Sequence, residues 1–211
     1  MSERYEVPPE RLERWLDRWA EANGPVARTD VRAERVTFVT DTGALDCDPP
    51  FPPLAQTGTR DGFDPAPLLD HVTRERVVGV LLVRLGGHAA GVFSGRRLIS
   101  SKVGRRQVHA RHRAGGSSQK RFARRREGQA RVALEAAADV AARVLHEHRR
   151  DLEALVLGGD RRALAEVLED PRLRSLRPLV VERVLDVPDP RLTVLQATPD
   201  LFRATVLHPR P

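Results

Sequence analysis

Residues 76–85 have the sequence RVVGVLLVRL, and this stretch decides the fold. Its apolar residues are nearly continuous, which is typical of a central strand covered on both faces. The glycine pair at 86–87 predicts a tight turn into a second strand over residues 88–94. A further turn at 94–96 leads into a third strand over residues 98–103. The sequence therefore predicts a three-stranded meander that starts at residue 76.

The third strand leads into residues 102–131, KVGRRQVHARHRAGGSSQKRFARRREGQAR. Residues 102–126, here named the basic segment, hold ten Lys or Arg residues, two His and no acid. The whole chain has 36 basic and 29 acidic residues, so the remainder, with 26 against 29, is mildly acidic. Such a local patch is typical of a surface that binds a polyanion. A solvated charged surface is the alternative, but apolar stretches flank this segment on both sides.

A long amphipathic helix follows within the same stretch. Apolar residues recur at steps of three and four through about residue 148, which is the helical period. Ser117 or Ser118 suits the N-cap position, yet Lys120 and further cations occupy the first turns, at the positive end of the helix dipole. A bound phosphate would relieve this repulsion. Gly128 costs roughly 1 kcal/mol inside a helix, so regular helix could begin only near Glu127.

The remaining elements follow from periodicity and turn residues. Before residue 76 the pattern predicts an amphipathic helix over 8–22, a strand over 31–40 and an irregular connection over 46–67, which contains six prolines. After the long helix it predicts a strand over 152–157, a helix over 161–168, a strand over 178–185 and a helical tail over 190–206. A Gly-Gly-Asp turn at 158–160 weakly resembles a phosphate-binding turn. Strands that alternate with helices after a meander predict a mixed α/β sheet packed on both faces.

Composition also restricts the compartment and the cofactors. Cys47 is the only cysteine, which excludes an internal disulfide and a cysteine-based zinc site. The first fifteen residues lack the apolar core of a signal peptide, and the longest strongly apolar run is seven residues, too short to cross a bilayer. We expect a cytoplasmic monomer without a membrane segment, a metal or a cofactor.

Common catalytic patterns fit this sequence poorly. Ser117 and Ser118 lie near His109 and His112 along the chain, but there is no G-x-S-x-G turn and no nearby acid for a Ser-His-Asp arrangement. His109 and His112, or His146 and His148, lack a defined third ligand for a metal. Acids that could hold a divalent cation are scattered along the chain: Asp70, Glu75, Asp139, Asp151, Glu153 and Asp160.

Gln119 is the best chemical candidate. An amide is neither acid nor base at neutral pH, so it would act by positioning a water molecule or polarising a carbonyl group. Such limited power suits an activated substrate, for example the ester that joins a nascent peptide to tRNA. Gly115 and Gly116 carry no side chain and allow the backbone to approach a crowded RNA site.

The run GGSSQKR at 115–121, followed by FARRREGQAR at 122–131 and an Ala-rich helix, resembles the VLRF family. These are bacterial relatives of the Vms-type peptidyl-tRNA hydrolase of eukaryotic ribosome quality control. They are similar to the catalytic middle domain of class-one release factors of eukaryotes and archaea, which has an RNase H-like α/β fold and a GGQ loop. Two serines separate Gly116 from Gln119 here, so the motif differs from GGQ.

The resemblance implies a peptidyl-tRNA hydrolase that frees stalled nascent chains on the large ribosomal subunit. It implies an N-terminal part over 1–70, a release-factor-like catalytic domain over 71–211, and peptidyl-tRNA and ribosomal RNA as partners. The implied catalytic positions are Gln119, Gly115, Gly116, Ser117 and Ser118. The predicted RNA-binding residues are Lys102, Arg105, Arg106, Arg111, Arg113, Lys120, Arg121, Arg124, Arg125 and Arg126. A nuclease that removes the tRNA 3′-CCA end and a non-catalytic ribosome-binding factor are the alternatives.

Overall fold

The structure is a computed structural model that describes residues 3–84, 86–105 and 118–211, with only the backbone described for residues 118–127. Its elements in chain order are β1 (Tyr5–Val7), α1 (Pro9–Asn23), β2 (Val26–Val31), β3 (Val36–Thr40), β4 (Gly43–Asp48), β5 (Gly58–Asp61), α2 (Ala66–Thr73), β6 (Val77–Arg84), β7 (Gly87–Ser94), β8 (Arg97–Arg105), α3 (Ser118–His146), β9 (Ala154–Gly159), α4 (Arg161–Leu168), a 3₁₀ segment (Pro171–Leu179), β10 (Val180–Leu185), α5 (Leu192–Phe202) and β11 (Thr205–Arg210). The chain forms two compact units. One comprises Met1–Glu75 with Pro199–Pro211, and the other Arg76–Thr198.

The first unit is built on a six-stranded antiparallel sheet with the order β1-β11-β4-β3-β2-β5. Helix α1 buries Leu12, Leu16 and Trp19, whose spacing places them on one face, against core residues such as Phe38. Burying each such side chain contributes about 1.5–3 kcal/mol. The helix ends at Gly24, whose positive φ of 82° favours glycine. The predicted helix over 8–22 is confirmed.

Two strand predictions in this unit are wrong in detail. Residues 31–40 were predicted as one strand, but β2 ends at Val31 and β3 begins at Val36. The amide of Arg32 donates to the carbonyl of Arg35 at 2.8 Å and closes the turn between them. No Gly or Pro marks this turn, so composition did not reveal it. Within the connection that was predicted to be irregular over 46–67, the first three residues belong to β4, Gly58–Asp61 forms β5, an edge strand paired with β2, and the last two residues begin α2.

The predicted helical tail is correct for α5 and wrong beyond it. Residues 205–210 form β11, which lies between β1 and β4 in the sheet. Leu207 pairs with both Tyr5 and Cys47, and it is fully buried. Its burial in this sheet, rather than helical periodicity, determines the conformation of the last strand.

The second unit contains a five-stranded mixed sheet with the order β10-β9-β6-β7-β8. Only β7 runs antiparallel to the other four strands. The predicted meander is confirmed as β6, β7 and β8, and the parallel strands β9 and β10 extend it on the side of β6. The predicted mixed α/β class is confirmed.

Helices cover both faces of this sheet. On one face, Leu81 and Val83 of β6 join a core with α3, α4 and the 3₁₀ segment. On the other face, Leu195 of α5 lies 3.0 Å from the position that a Cβ at Gly91 would occupy. Burial from both sides explains the continuous apolar sequence of β6. None of the helices in the described part of the chain is long and apolar enough to span a membrane.

Candidate nucleic-acid interface

The basic segment begins at the carboxyl end of the second unit's sheet. Strands β6, β8, β9 and β10 run in the same direction, so their carboxyl ends lie at the same end of the sheet. Lys102 and Arg105 on β8 are exposed, and neither has an acidic partner among the residues that the structure describes. Ligands of open α/β sheets bind at this end, because loops there gather around the strand termini.

His88 fixes the end of β8. It is 3% exposed and lies directly opposite Gly104, the residue before Arg105, in the β7–β8 ladder. A Cβ at Gly104 would overlap the imidazole Nε2 of His88. A side chain at position 104 is therefore excluded while the ring keeps its place. This contact was not predictable from the sequence, because only strand pairing brings the two residues together.

Most of the predicted site lies outside the described residues. Arg106, Arg111, Arg113, Gly115, Gly116 and Ser117 belong to the undescribed range. The other predicted residues lie in the first turns of α3, so regular helix begins before Glu127. Only their backbone is described: Ser118, Gln119, Lys120, Arg121, Arg124, Arg125 and Arg126. The roles assigned to these residues therefore stay predictions.

The C-terminal half of α3 is anchored on the sheet by a narrow apolar face. Its buried residues are Ala133, Ala137, Ala138, Ala141, Val144 and Leu145. The Cδ2 atom of Leu145 lies 3.1 Å from the position that a Cβ at Gly79 would occupy, so the glycine leaves room for this side chain. Closer to the N-terminus of α3, Val132 is 48% exposed, and nothing lies within 4 Å of the position that a Cβ at Gly128 would occupy.

Polar contacts hold the outer side of α3 against the 3₁₀ segment. Arg172 donates from Nη1 to Asp139 at 2.7 Å, and from Nε and Nη2 to the two carboxylate oxygens of Asp170 at 2.9 and 2.7 Å. These hydrogen bonds from Arg172 lower the pKa of Asp170 to about 2. They also raise the pKa of Arg172, chiefly through Asp170 and then Asp139, so Arg172 and Asp170 are both charged at neutral pH.

His146, at the end of α3, joins this helix to the 3₁₀ segment. The Nε2 atom of His146 hydrogen-bonds the carbonyl of Arg172, and the Nε of Arg149 donates to the carbonyl of Ser175 at 2.9 Å. His109 and His112 lie outside the described residues. Within the described part of the chain, no group of three or more His, Cys, Asp or Glu residues could hold a metal ion.

The Gly-Gly-Asp turn after β9 is a capped helix start. The Oδ1 atom of Asp160 accepts hydrogen bonds from the amides of Arg162 and Ala163 at 2.8 and 3.0 Å. Those amides are the groups that a phosphate at this terminus would use, and the carboxylate already satisfies them. These two amides are therefore not free to bind a phosphate, and the weak resemblance of this turn to a phosphate-binding turn does not hold in the structure.

The strand order defines a mixed α/β protein, and Lys102 and Arg105 are exposed on β8 towards the carboxyl end of its sheet. The sequence profile of the Actinobacteria/chloroflexi VLRF1 release factor family (acVLRF1) matches residues 76–208. The chain belongs to this family of translation release factors. The matched region includes the whole basic segment and all of α3.

Solved structures with a similar chain path include an archaeal translation termination factor, aRF1. It has 15% sequence identity and a TM-score of 0.46, and the match covers 90% of this chain and 68% of that one. Pelota from Archaeoglobus fulgidus has 13% identity and a TM-score of 0.28, with 88% of this chain and 57% of that one covered. No curated protein sequence matches the chain.

Proposed function

We propose that this protein hydrolyses the ester of peptidyl-tRNA and so releases stalled nascent chains from the large ribosomal subunit during ribosome quality control. The observation that carries the proposal is the match of residues 76–208 to a release factor family, since this range contains the basic segment and Gln119. A release factor acts where peptide and tRNA are joined. The substrate is therefore an ester with an RNA leaving group, for which a cationic surface is suited.

In the proposed site, Gln119 orients the attacking water or polarises the ester carbonyl. Gly115 and Gly116 admit the backbone to the narrow RNA site, and Ser117 and Ser118 precede Gln119, which lies in the first turn of α3. An oriented amide supplies electrostatic stabilisation and positioning without proton transfer. The reacting ester is intrinsically labile, so an amide and the neighbouring ribose hydroxyl suffice.

The cations of the basic segment hold RNA phosphates. Lys102 and Arg105 start this surface at the carboxyl end of β8, where both side chains are exposed. The other proposed ligands are Arg106, Arg111, Arg113, Lys120, Arg121, Arg124, Arg125 and Arg126. Contacts to phosphates give affinity without sequence selection, and they weaken steeply with salt. Binding to large subunits should therefore decrease as the salt concentration increases.

The decisive experiment is a peptide-release assay on purified large subunits that carry peptidyl-tRNA. We expect Gln119→Ala to bind with unchanged affinity and to release peptide about 10²-fold more slowly, the scale of losing one oriented polar group. Lys102→Ala is the matched control, because it should weaken binding and leave the rate of the bound complex unchanged. Equal release by wild type and Gln119→Ala would refute the role of this amide.

The tRNA product distinguishes hydrolysis from the alternatives. Ester hydrolysis leaves the 3′-CCA end intact, and a tRNA shortened at that end would show a nuclease instead. Salt-sensitive binding without any turnover by the wild-type protein would show a ribosome-binding factor. Gel mobility and end-group analysis of the tRNA separate these results.

A further inference from the structure

Helix α3 packs on the sheet through small side chains. Among residues 128–146 of α3, four of the six buried side chains are alanines, whose methyl groups allow close approach but interlock weakly, and the partly buried Leu134 and Val140 also pack against this core. Burial of this face resists movement of the helix away from the sheet. It gives weaker resistance to a sideways sweep across the strands, because that movement keeps most methyl groups covered.

Leu145 is the largest fully buried side chain in the described part of α3, and we take it as the pivot. It is fully buried, and its Cδ2 atom lies 3.1 Å from the position that a Cβ at Gly79 would occupy, so it fits closely over that glycine. At a rise of about 1.5 Å per residue, Asp139 lies about 9 Å from Leu145 along the helix and Gln119 lies about 39 Å from it. If α3 rotates as a rigid rod about Leu145, Gln119 therefore moves about fourfold farther than Asp139.

The 3₁₀ segment restrains α3 laterally: its buried Leu173 and Leu176 share the apolar core of the helix, and Arg172 adds polar contacts. Arg172 is oriented by Asp170 through two hydrogen bonds, which leaves Nη1 directed at Asp139 at 2.7 Å. The carbonyl of Arg172 also contacts His146, seven residues beyond Asp139 and therefore on the same side of the helix. One residue of the 3₁₀ segment thus holds α3 at two points along one side.

We propose that Asp139 and Arg172 are positioning residues: their ion pair limits the sideways movement of α3 and so helps to keep Gln119 in place at the ester. This inference rests on the proposed function, since it takes Gln119 as the acting group. The pair is half-exposed, with side chains that are 61% and 50% accessible, and such pairs add little to stability. Its loss should change geometry more than folding.

Spin-label distances test the restraint without any ribosome. Labels are attached at Arg131→Cys on α3 and Arg97→Cys on β8, both exposed positions of the same unit. The native Cys47 is fully buried and should stay unlabelled. We expect Asp139→Asn to broaden the distance distribution between the labels and Asp139→Glu to restore the wild-type width.

Arg177→Ala is the matched control. Arg177 lies on the same 3₁₀ segment and pairs with Glu169 at 3.0 Å, but this contact joins it to the end of α4 and not to α3. Its replacement should leave the label distances at the wild-type width. The control therefore separates the restraint of α3 from a general loosening of the 3₁₀ segment.

Single-turnover release at saturating protein measures the consequence for the reaction. A misplacement of about 1 Å can cost 10²-fold in rate, so we expect Asp139→Asn to slow release about tenfold, with subunit affinity within about twofold of wild type. Asp139→Glu should restore the rate, and Arg177→Ala should not change it. A rate loss without an affinity loss is a result that general destabilisation does not produce.

Two results would overturn the inference. One is an identical label distribution for wild type and Asp139→Asn. The other is a parallel loss of release in Asp139→Asn and Arg177→Ala that follows their melting temperatures. A wild-type protein that releases no peptide would refute the proposed function and the link to catalysis, and the label distances would then decide the restraint alone.

Discussion

Replacing Gly104 with alanine tests whether His88 fixes the end of β8. The added methyl group would overlap Nε2 of the ring and lie 2.8 Å from Cε1 and 3.1 Å from Cδ2. Because His88 is only 3% exposed, the ring cannot swing into solvent without opening the sheet. Overpacking of this kind costs about 1–3 kcal/mol.

The cost should be visible in thermal unfolding. A loss of 1 kcal/mol lowers the melting temperature of a chain of this size by about 2–4 °C, so a loss of about 2 kcal/mol corresponds to about 4–8 °C. The melting temperature is measured by differential scanning calorimetry for Gly104→Ala, His88→Ala and the double variant. If the methyl group clashes with the ring, removing the ring relieves the strain, and the double variant is more stable than the two separate losses predict.

Gly128→Ala is the matched control with the opposite sign. Nothing lies within 4 Å of the position of its added methyl group, and alanine has the higher helix propensity. We expect it to stabilise the protein by up to about 1 kcal/mol. Additive losses in the His88 and Gly104 variants, or equal shifts for Gly104→Ala and Gly128→Ala, would refute the steric argument.

Three further predictions concern stability. Asp160→Ala removes the cap of α4 and should cost about 0.5–2 kcal/mol in chemical denaturation, whereas Asp160→Asn should retain most of the stability. The lowered pKa of Asp170, about 2 against an ordinary 3.8, contributes stability that is present above pH 4 and is lost as the pH falls towards 2. Asp170→Asn should therefore flatten the acid side of the stability curve, and an unchanged curve would contradict the assignment. Burial raises the pKa of the Cys47 thiol, so its reaction with a thiol reagent should follow the opening of the first unit, and rapid labelling of the folded protein would contradict this.

Elements whose own side chains repeat with a clear period were predictable from the sequence. The apolar run of β6 predicted a buried central strand, and the spacing of Leu12, Leu16 and Trp19 predicted α1. Strands β1, β4, β5 and β11 were missed, and β2 and β3 were merged, because short strands depend on their neighbours in the sheet more than on their own residues. Leu207 became part of a strand through its burial between β1 and β4.

The same division applies to the candidate site. The sequence by itself determined the concentration of cations in the basic segment and its position after the third strand, because both follow from the order of residues along the chain. Only the tertiary structure placed His88 over Gly104 and Arg172 beside Asp139, a pair separated by 33 residues. Such contacts between residues distant in sequence arise from strand pairing and helix packing, and no local pattern of the sequence encodes them.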